Sequence, residues 1–277
     1  MNKISNFLVE LKQKHVLIFS LIIIIGIKPL NMAIKSTLSF MGIKMGQTNF
    51  DYMLSEIILL TLVLLTAVLC KQTQILHCRT KGLFKGLWSG MIFFVLAIIG
   101  VWRFTANTTA QDDTYKSTPE ILAFLLFVLL VGLAEEILFR GIIADSIFAC
   151  FGKNIRGIWL SVFLGGTLFG LSHITNILSG QSVEESIIQA ICVSMTGMLL
   201  TAIYVRHKNI FAVAILHATL DFFTMLESGL LEDYSIAPVA TDIDFWPTLR
   251  QGLISQSMFL IVAVFVLRPK ILKKLVS

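Results

Sequence analysis

Residues 132–141 read GLAEEILFRG, so Glu135, Glu136 and Arg140 sit inside an apolar run that begins near Ile121. Charged groups in such surroundings are costly, and they mark either chemistry or tight pairing. Glu136 and Arg140 are i and i+4 with the acid N-terminal, the better order for a helical ion pair. Glu135 lies ~100° around the helix from its neighbour. It has no cation directly on its own face, which makes it a candidate general base. A second piece, TLFGLSH, places Phe169 and His173 at i and i+4 behind Gly165, Gly166 and Gly170. A third, LHATLDFF, places His217 and Asp221 at i and i+4, where the carboxylate could orient the imidazole. Each piece alone has a plainer reading: a structural acid, a packing histidine, a self-satisfied polar pair. His15, His77 and His207 fall in basic stretches, so only His173 and His217 lie within apolar runs. A glutamate, two histidines and an aspartate converging in one bundle form a hydrolytic constellation.

The elements that must position them are membrane helices. The chain has 277 residues, 56% hydrophobic and only 14% charged, with a mean hydropathy of +0.84. Soluble domains carry about 25% charged residues. Apolar runs near 16–34, 51–70, 86–104, 120–150, 157–178, 183–205, 210–229 and 251–267 predict an all-α, polytopic membrane helix bundle of about eight spans. The whole of 1–277 reads as a single membrane domain, with no repeat and no soluble module. Lys28-Pro29 interrupts the first run, where Lys28 either snorkels or marks a helix end. No small-residue cleavage pattern follows, so the run reads as a span and not a removable leader.

Charge sets the expected orientation. Lys3, Lys12 and Lys14 precede the first run. Lys71, Arg79, Lys81 and Lys85 follow the second, Lys153 and Arg156 the fourth, Arg206 and Lys208 the sixth, and Arg268, Lys270, Lys273 and Lys274 the last. The opposite loops hold fewer cations (Lys35, Lys44, Arg103, Lys116, Arg250) and more acids, among them Asp112, Asp113, Glu184, Glu185 and Asp242. The positive-inside rule then puts both termini in the cytoplasm. Basic residues gathered at segment ends indicate topology, with no nucleic acid as partner. Cys70, Cys78, Cys150 and Cys192 show no metal-ligand spacing and no disulfide framework.

The three polar pieces resemble the CAAX-processing and bacteriocin-processing intramembrane proteases, the CPBP or Abi family, over roughly 120–225. That pattern is E-E-x-x-x-R, then F-x-x-x-H, then H-x-x-x-N or H-x-x-x-D, here Glu135-Glu136…Arg140, Phe169…His173 and His217…Asp221. The resemblance implies an intramembrane endopeptidase whose catalytic core is 120–225. Glu135 activates water, His173 helps to bind or polarise it, and His217 and Asp221 stabilise the oxyanion or hold the second histidine. Glu136 and Arg140 are scaffold or substrate contacts. Two mechanisms stay open. Glu135, His173 and His217 could fill three positions around zinc and leave one for water, although no H-E-x-x-H is present. The metal-free version wants a donor at 221, which an ionised Asp221 is not. The partners implied are a peptide or membrane-protein substrate and the lipid bilayer. An Ile-, Lys- and Phe-rich composition suggests a bacterial cell membrane, with peptide or bacteriocin processing or self-immunity as the role. The competing classes are a non-enzymatic immunity or scaffold protein and a proton-coupled transporter.

Geometry raises one difficulty. At 1.5 Å per residue, His173 lies ~24 Å from the basic end of its run and His217 only ~11 Å from the basic end of its own. Straight helices of equal depth would not bring the two together. A tilt, a long 120–150 helix that protrudes from the bilayer, or shifted boundaries would.

Overall fold

The computed structural model describes residues 3–43, 45–77, 80–108, 114–234, 236 and 243–276, the side chain of Lys81 excepted. Lys44, Cys78, Arg79, Asp112, Asp113 and Asp242 lie outside the described residues. The chain is helical, as the apolar runs predict. An amphipathic α1 (Lys3–Lys14) leads into α2 (Val16–Phe40), α3 (Asn49–Leu69), α4 (Thr80–Ser89) and α5 (Met91–Thr108). One continuous helical rod then comprises α6 (Thr118–Glu136), a π-helical stretch (Ile137–Ala144) and α7 (Asp145–Phe151). It is followed by α8 (Ile155–Ser172), a 3-10 segment (His173–Ser179), α9 (Val183–His207), α10 (Ile210–Thr224), the short α11 (Leu226–Leu230), α12 (Phe245–Val266) and α13 (Pro269–Val276).

Two sequence expectations are adjusted. Among the described residues, seven helices are long and apolar enough to cross a membrane, and the run at 210–229 yields only the 15-residue α10. That helix is ~22 Å long at 1.5 Å per residue, short of the ~30 Å of hydrocarbon. The hydroxyl of Thr224 donates to the carbonyls of Leu220 and Asp221, and the Met225 N–H closes on Asp221. The helix ends there and α11 starts at Leu226, a break inside a run that hydropathy reads as continuous. Conversely, Lys28-Pro29 ends nothing: α2 runs through Pro29 to Phe40.

Small residues set the closest helix approaches. A Cβ added at Gly166 would lie 2.5 Å from the Met198 nitrogen and 2.8 Å from the Ser194 carbonyl on α9. One at Gly170 would collide with the Ala190 carbonyl and Ser194. The Gly166/Gly170 spacing thus seats α8 directly on the backbone of α9, as small-xxx-small motifs do. Gly132 does the same for α6 and α10, where its Cβ would come 2.5 Å from the Ala214 carbonyl.

The basic segments meet at one end. Lys12 donates to the Cys70 carbonyl at 2.9 Å, Lys208 pairs with Asp145 at 2.7 Å, and Arg206 donates to the Val266 carbonyl at 2.8 Å. At the other end the buried Asn49 side chain donates to the Glu120 and Gly229 carbonyls, and Tyr115 bridges to Leu231.

These contacts set the level of α10 against the rod. Lys208, just before α10, sits level with Asp145 and not with the end of the rod at Phe151. The rod therefore extends almost two turns beyond the start of α10. Counted from Asp145, Glu136 is nine residues in, and His217 is nine residues from Lys208. The Phe169 ring, in contact with His173 at 5.1 Å and His217 at 5.5 Å, brings the two histidines to one level. Glycine carries the critical packing, so Gly170→Val should lower the thermal midpoint in detergent by the equivalent of about 1–3 kcal/mol, the usual cost of overpacking. A scanning-fluorimetry midpoint equal to that of the parent would contradict this packing account.

Candidate active site

The site is built where α6 passes into its π-helical stretch. The π segment, Ile137–Ala144, is buried throughout. Its backbone is braced from outside the rod by Gln72, whose side-chain amide reaches the carbonyls of Gly141 and Ile142 at 3.3 Å and the Ser146 hydroxyl at 3.1 Å. Such bulges change which side chains a helix presents to one face, and they recur at functional sites.

Glu136 and Arg140 are both fully buried and pair at 2.6 Å. The pair does not stand alone. The guanidinium also donates to the Gly197 carbonyl of α9 at 3.2 Å and lies 4.2 Å over the Phe169 ring. Glu136 Oε1 accepts a second hydrogen bond, 2.8 Å from His217 Nδ1. The orienting carboxylate for His217 is therefore Glu136, from another helix, and not Asp221. Asp221 Oδ2 lies 3.6 Å from His217 Nε2, beyond hydrogen-bond distance. Spacing within one helix suggested the i, i+4 partner; the tertiary contact supplies a closer one.

Glu135 points its Oε2 to within 3.9 Å of the same His217 Nε2. Its side chain keeps 17% of its surface exposed, as does that of Asp221. The polar centre thus has an opening. His173 caps α8, and its Nδ1 lies 3.1 Å from the Phe169 carbonyl. A carbonyl only accepts, so Nδ1 carries the proton and Nε2 of the neutral ring is left with its lone pair. Phe169 is the hub of this packing: its ring meets Phe139, His173 and His217 edge-on at 5.0, 5.1 and 5.5 Å. The six residues singled out from sequence thus converge, joined through Phe169.

Two groups that motif spacing did not single out for the site join it from helices before residue 117. Lys28, on α2, donates to the Ser172 carbonyl at 2.9 Å. It neither snorkels nor marks a terminus; it satisfies the C-terminal end of α8, where a helix favours a cation, one residue before His173. Its charge also acts on Glu135. Glu56, on α3, is within the same electrostatic reach of Glu135, Lys28 and Asp221, and its Oε2 is buried without a hydrogen-bond partner. An acid inside the second apolar run, five residues after Asp51 at its start, was the available signal.

The residues were also weighed as zinc ligands. Among the described residues, no group of three or more His, Cys, Asp or Glu side chains is arranged to hold a metal ion. His217 commits Nδ1 to Glu136 and His173 commits Nδ1 to a carbonyl, which leaves one nitrogen each. Each histidine thus keeps Nε2, the one nitrogen a metal would take, while its Nδ1 is held by a carboxylate or a carbonyl as in metal-bound histidines. Cys70, Cys150 and Cys192 are free thiols.

The buried pair generates a prediction. Arg140→Ala strands Glu136 in an apolar interior and should cost about 3–5 kcal/mol, whereas Glu136→Gln with Arg140→Met together should cost less than the sum of the single changes. Denaturation of the parent, Arg140→Ala, each single change and the double in one detergent checks it, and strictly additive losses would refute the coupling.

No curated protein matches the chain. Residues 117–223 match a protein-family model described as Rce1-like, "Type II CAAX prenyl endopeptidase Rce1-like". That segment holds Glu135, Glu136, Arg140, His173, His217 and Asp221 together, and leaves Lys28 and Glu56 outside. The stretch that forms the polar centre is thus similar to the type II CAAX prenyl endopeptidases, within the group its motifs resembled, and this supports a membrane endopeptidase.

Proposed function

We propose that the protein is an intramembrane endopeptidase in which Glu135 and His173 activate a water molecule. The observation that carries this reading is the meeting of Glu135, Glu136 and Asp221 around the single ring of His217, at 3.9, 2.8 and 3.6 Å. The contacts at 3.6 and 3.9 Å suit an intervening water or substrate oxygen better than a direct bond. Glu135 is the partly exposed acid of the adjacent pair, and its neighbour is committed to Arg140 and His217. It removes a proton from water, the water oxygen bonds to the scissile carbonyl carbon, and the C–N bond breaks as the proton passes to the leaving amine. The free Nε2 of His173 holds the attacking water. His217, oriented through Nδ1 by Glu136, donates from Nε2 to the developing oxyanion when it carries its second proton. Asp221 stays an acceptor and supports that proton; it does not itself donate.

The substrate proposed is a peptide or membrane-protein segment that reaches the polar centre within the bilayer. The role is peptide or bacteriocin processing or self-immunity in a bacterial cell membrane. The basic end of the bundle, with both termini, faces the cytoplasm.

Glu135→Gln should abolish cleavage, at least 100-fold for loss of a general base, while the thermal midpoint stays near that of the parent. Turnover by that variant at the parental rate would sink the mechanism and favour a non-enzymatic immunity or scaffold protein. Metal analysis paired with a chelator forms a second test. The metal-free reading expects no stoichiometric zinc and cleavage that survives chelation. One zinc per chain, with activity lost on its removal and restored on its return, would overturn it.

A further inference from the structure

A cavity of about 480 Å³ opens at the basic end of the bundle, on the far side of the π segment from the polar centre. Lys12 and Gln13 of α1, Gln72 and Gln74 of the link after α3, and Asp145 and Lys153 supply its polar lining. We propose that this cavity binds a phosphate ester anion, with the headgroup of an anionic phospholipid as its occupant in the membrane.

The charge arrangement supports this. Asp145 is the sole acid in the lining, and its carboxylate is already paired with Lys208 at 2.7 Å. Lys12 and Lys153 then face the cavity as cations. Lys12 uses one of its three donors on the Cys70 carbonyl, and burial holds its ammonium below the ordinary lysine range. An anion beside it would relieve that deficit. Gln72 adds a second, independent mark. It is only 3% exposed, and its Oε1 has no hydrogen-bond partner. A phosphate bearing a hydroxylated or aminated substituent would offer oxygens to the lysines and a donor to that acceptor.

Position agrees with a lipid source. α1 buries Leu8 against the bundle and leaves Ile4 and Phe7 exposed, the pattern of a helix lying in a membrane interface. The cavity beside it lies at headgroup level, where basic residues attract anionic lipid. The site also touches the rod that carries the polar centre. The Gln72 amide that lines the cavity is the brace on the carbonyls of Gly141 and Ile142. The binding claim does not depend on peptidase activity.

The test uses the full chain in nanodiscs and detergent. Native mass spectrometry counts phosphatidylglycerol retained from a mixture with phosphatidylcholine, for the parent, for Lys12→Gln with Lys153→Gln, and for a control with Lys270→Gln and Lys273→Gln on α13. A lysine facing the bound phosphate contributes roughly fivefold in affinity, so the cavity variant should retain the tightest-bound phosphatidylglycerol ~20-fold less tightly, and the control, whose lysines lie outside the cavity lining, should keep it as the parent does. Alkylation of Cys150, an exposed thiol in the cavity wall, followed by peptide mapping, reads occupancy without mutation. Phosphatidylglycerol should slow it and phosphatidylcholine should not. Protection by glycerol phosphate alone in lipid-free detergent would assign the site to a free phosphate ester and overturn the lipid source. Equal retention by all three proteins, or equal alkylation in both lipids, would overturn the site itself.

Discussion

The structure turns on a buried ion pair that cannot be satisfied within one helix. Glu136 and Arg140 are taken wholly out of solvent, and a pair in that position is costly unless its remaining donors and acceptors are met. The guanidinium reaches across to the Gly197 carbonyl and lies on the Phe169 ring, and the carboxylate Oε1 takes the His217 N–H, while Glu136 Oε2 and Arg140 Nε keep no hydrogen-bond partner. Three helices besides the rod are held in register by one charge pair. Because the same pair fixes His217, the packing of the scaffold and the geometry of the polar centre have a common origin.

The backbone serves that arrangement. Gly166, Gly170 and Gly197 let α8 and α9 approach until Gly197 presents its carbonyl to Arg140. Gly132 lets α10 approach α6 closely enough for His217 to meet Glu136. The π stretch follows directly after Glu136, where a regular helix would continue, and Gln72 braces it from the basic end. Polar groups are thus supported from both directions along the rod: α2 and α3 contribute Lys28 and Glu56 beside Glu135, and the segment after α3 contributes Gln72 below it.

The division of labour between the adjacent acids follows from these contacts. Glu136 has no exposure, and its Oε1 is committed to both the Arg140 guanidinium and the His217 imidazole. Glu135 keeps an opening and stands 3.9 Å from His217. Two neighbours of identical chemistry sit in different surroundings because one faces the interior of the bundle and the other keeps part of its surface exposed.

Sequence alone determined the helical class, the approximate spans and the six polar residues of the centre. Hydrophobic run length fixes membrane helices almost without tertiary information, since backbone groups in lipid must bond within their own segment. Charges inside those runs stand out because they are costly there. The partner of His217 was not legible: spacing indicated Asp221, four residues on, and the structure chose Glu136 from another helix. Neither was the role of Lys28, which a linear reading treats as a helix end and which instead caps α8 across 144 residues of chain. Nor was the shortness of α10, which ends at Thr224 inside a run that stays apolar. Periodicity describes what each helix shows to its surroundings, and only packing decides which neighbour is there to receive it.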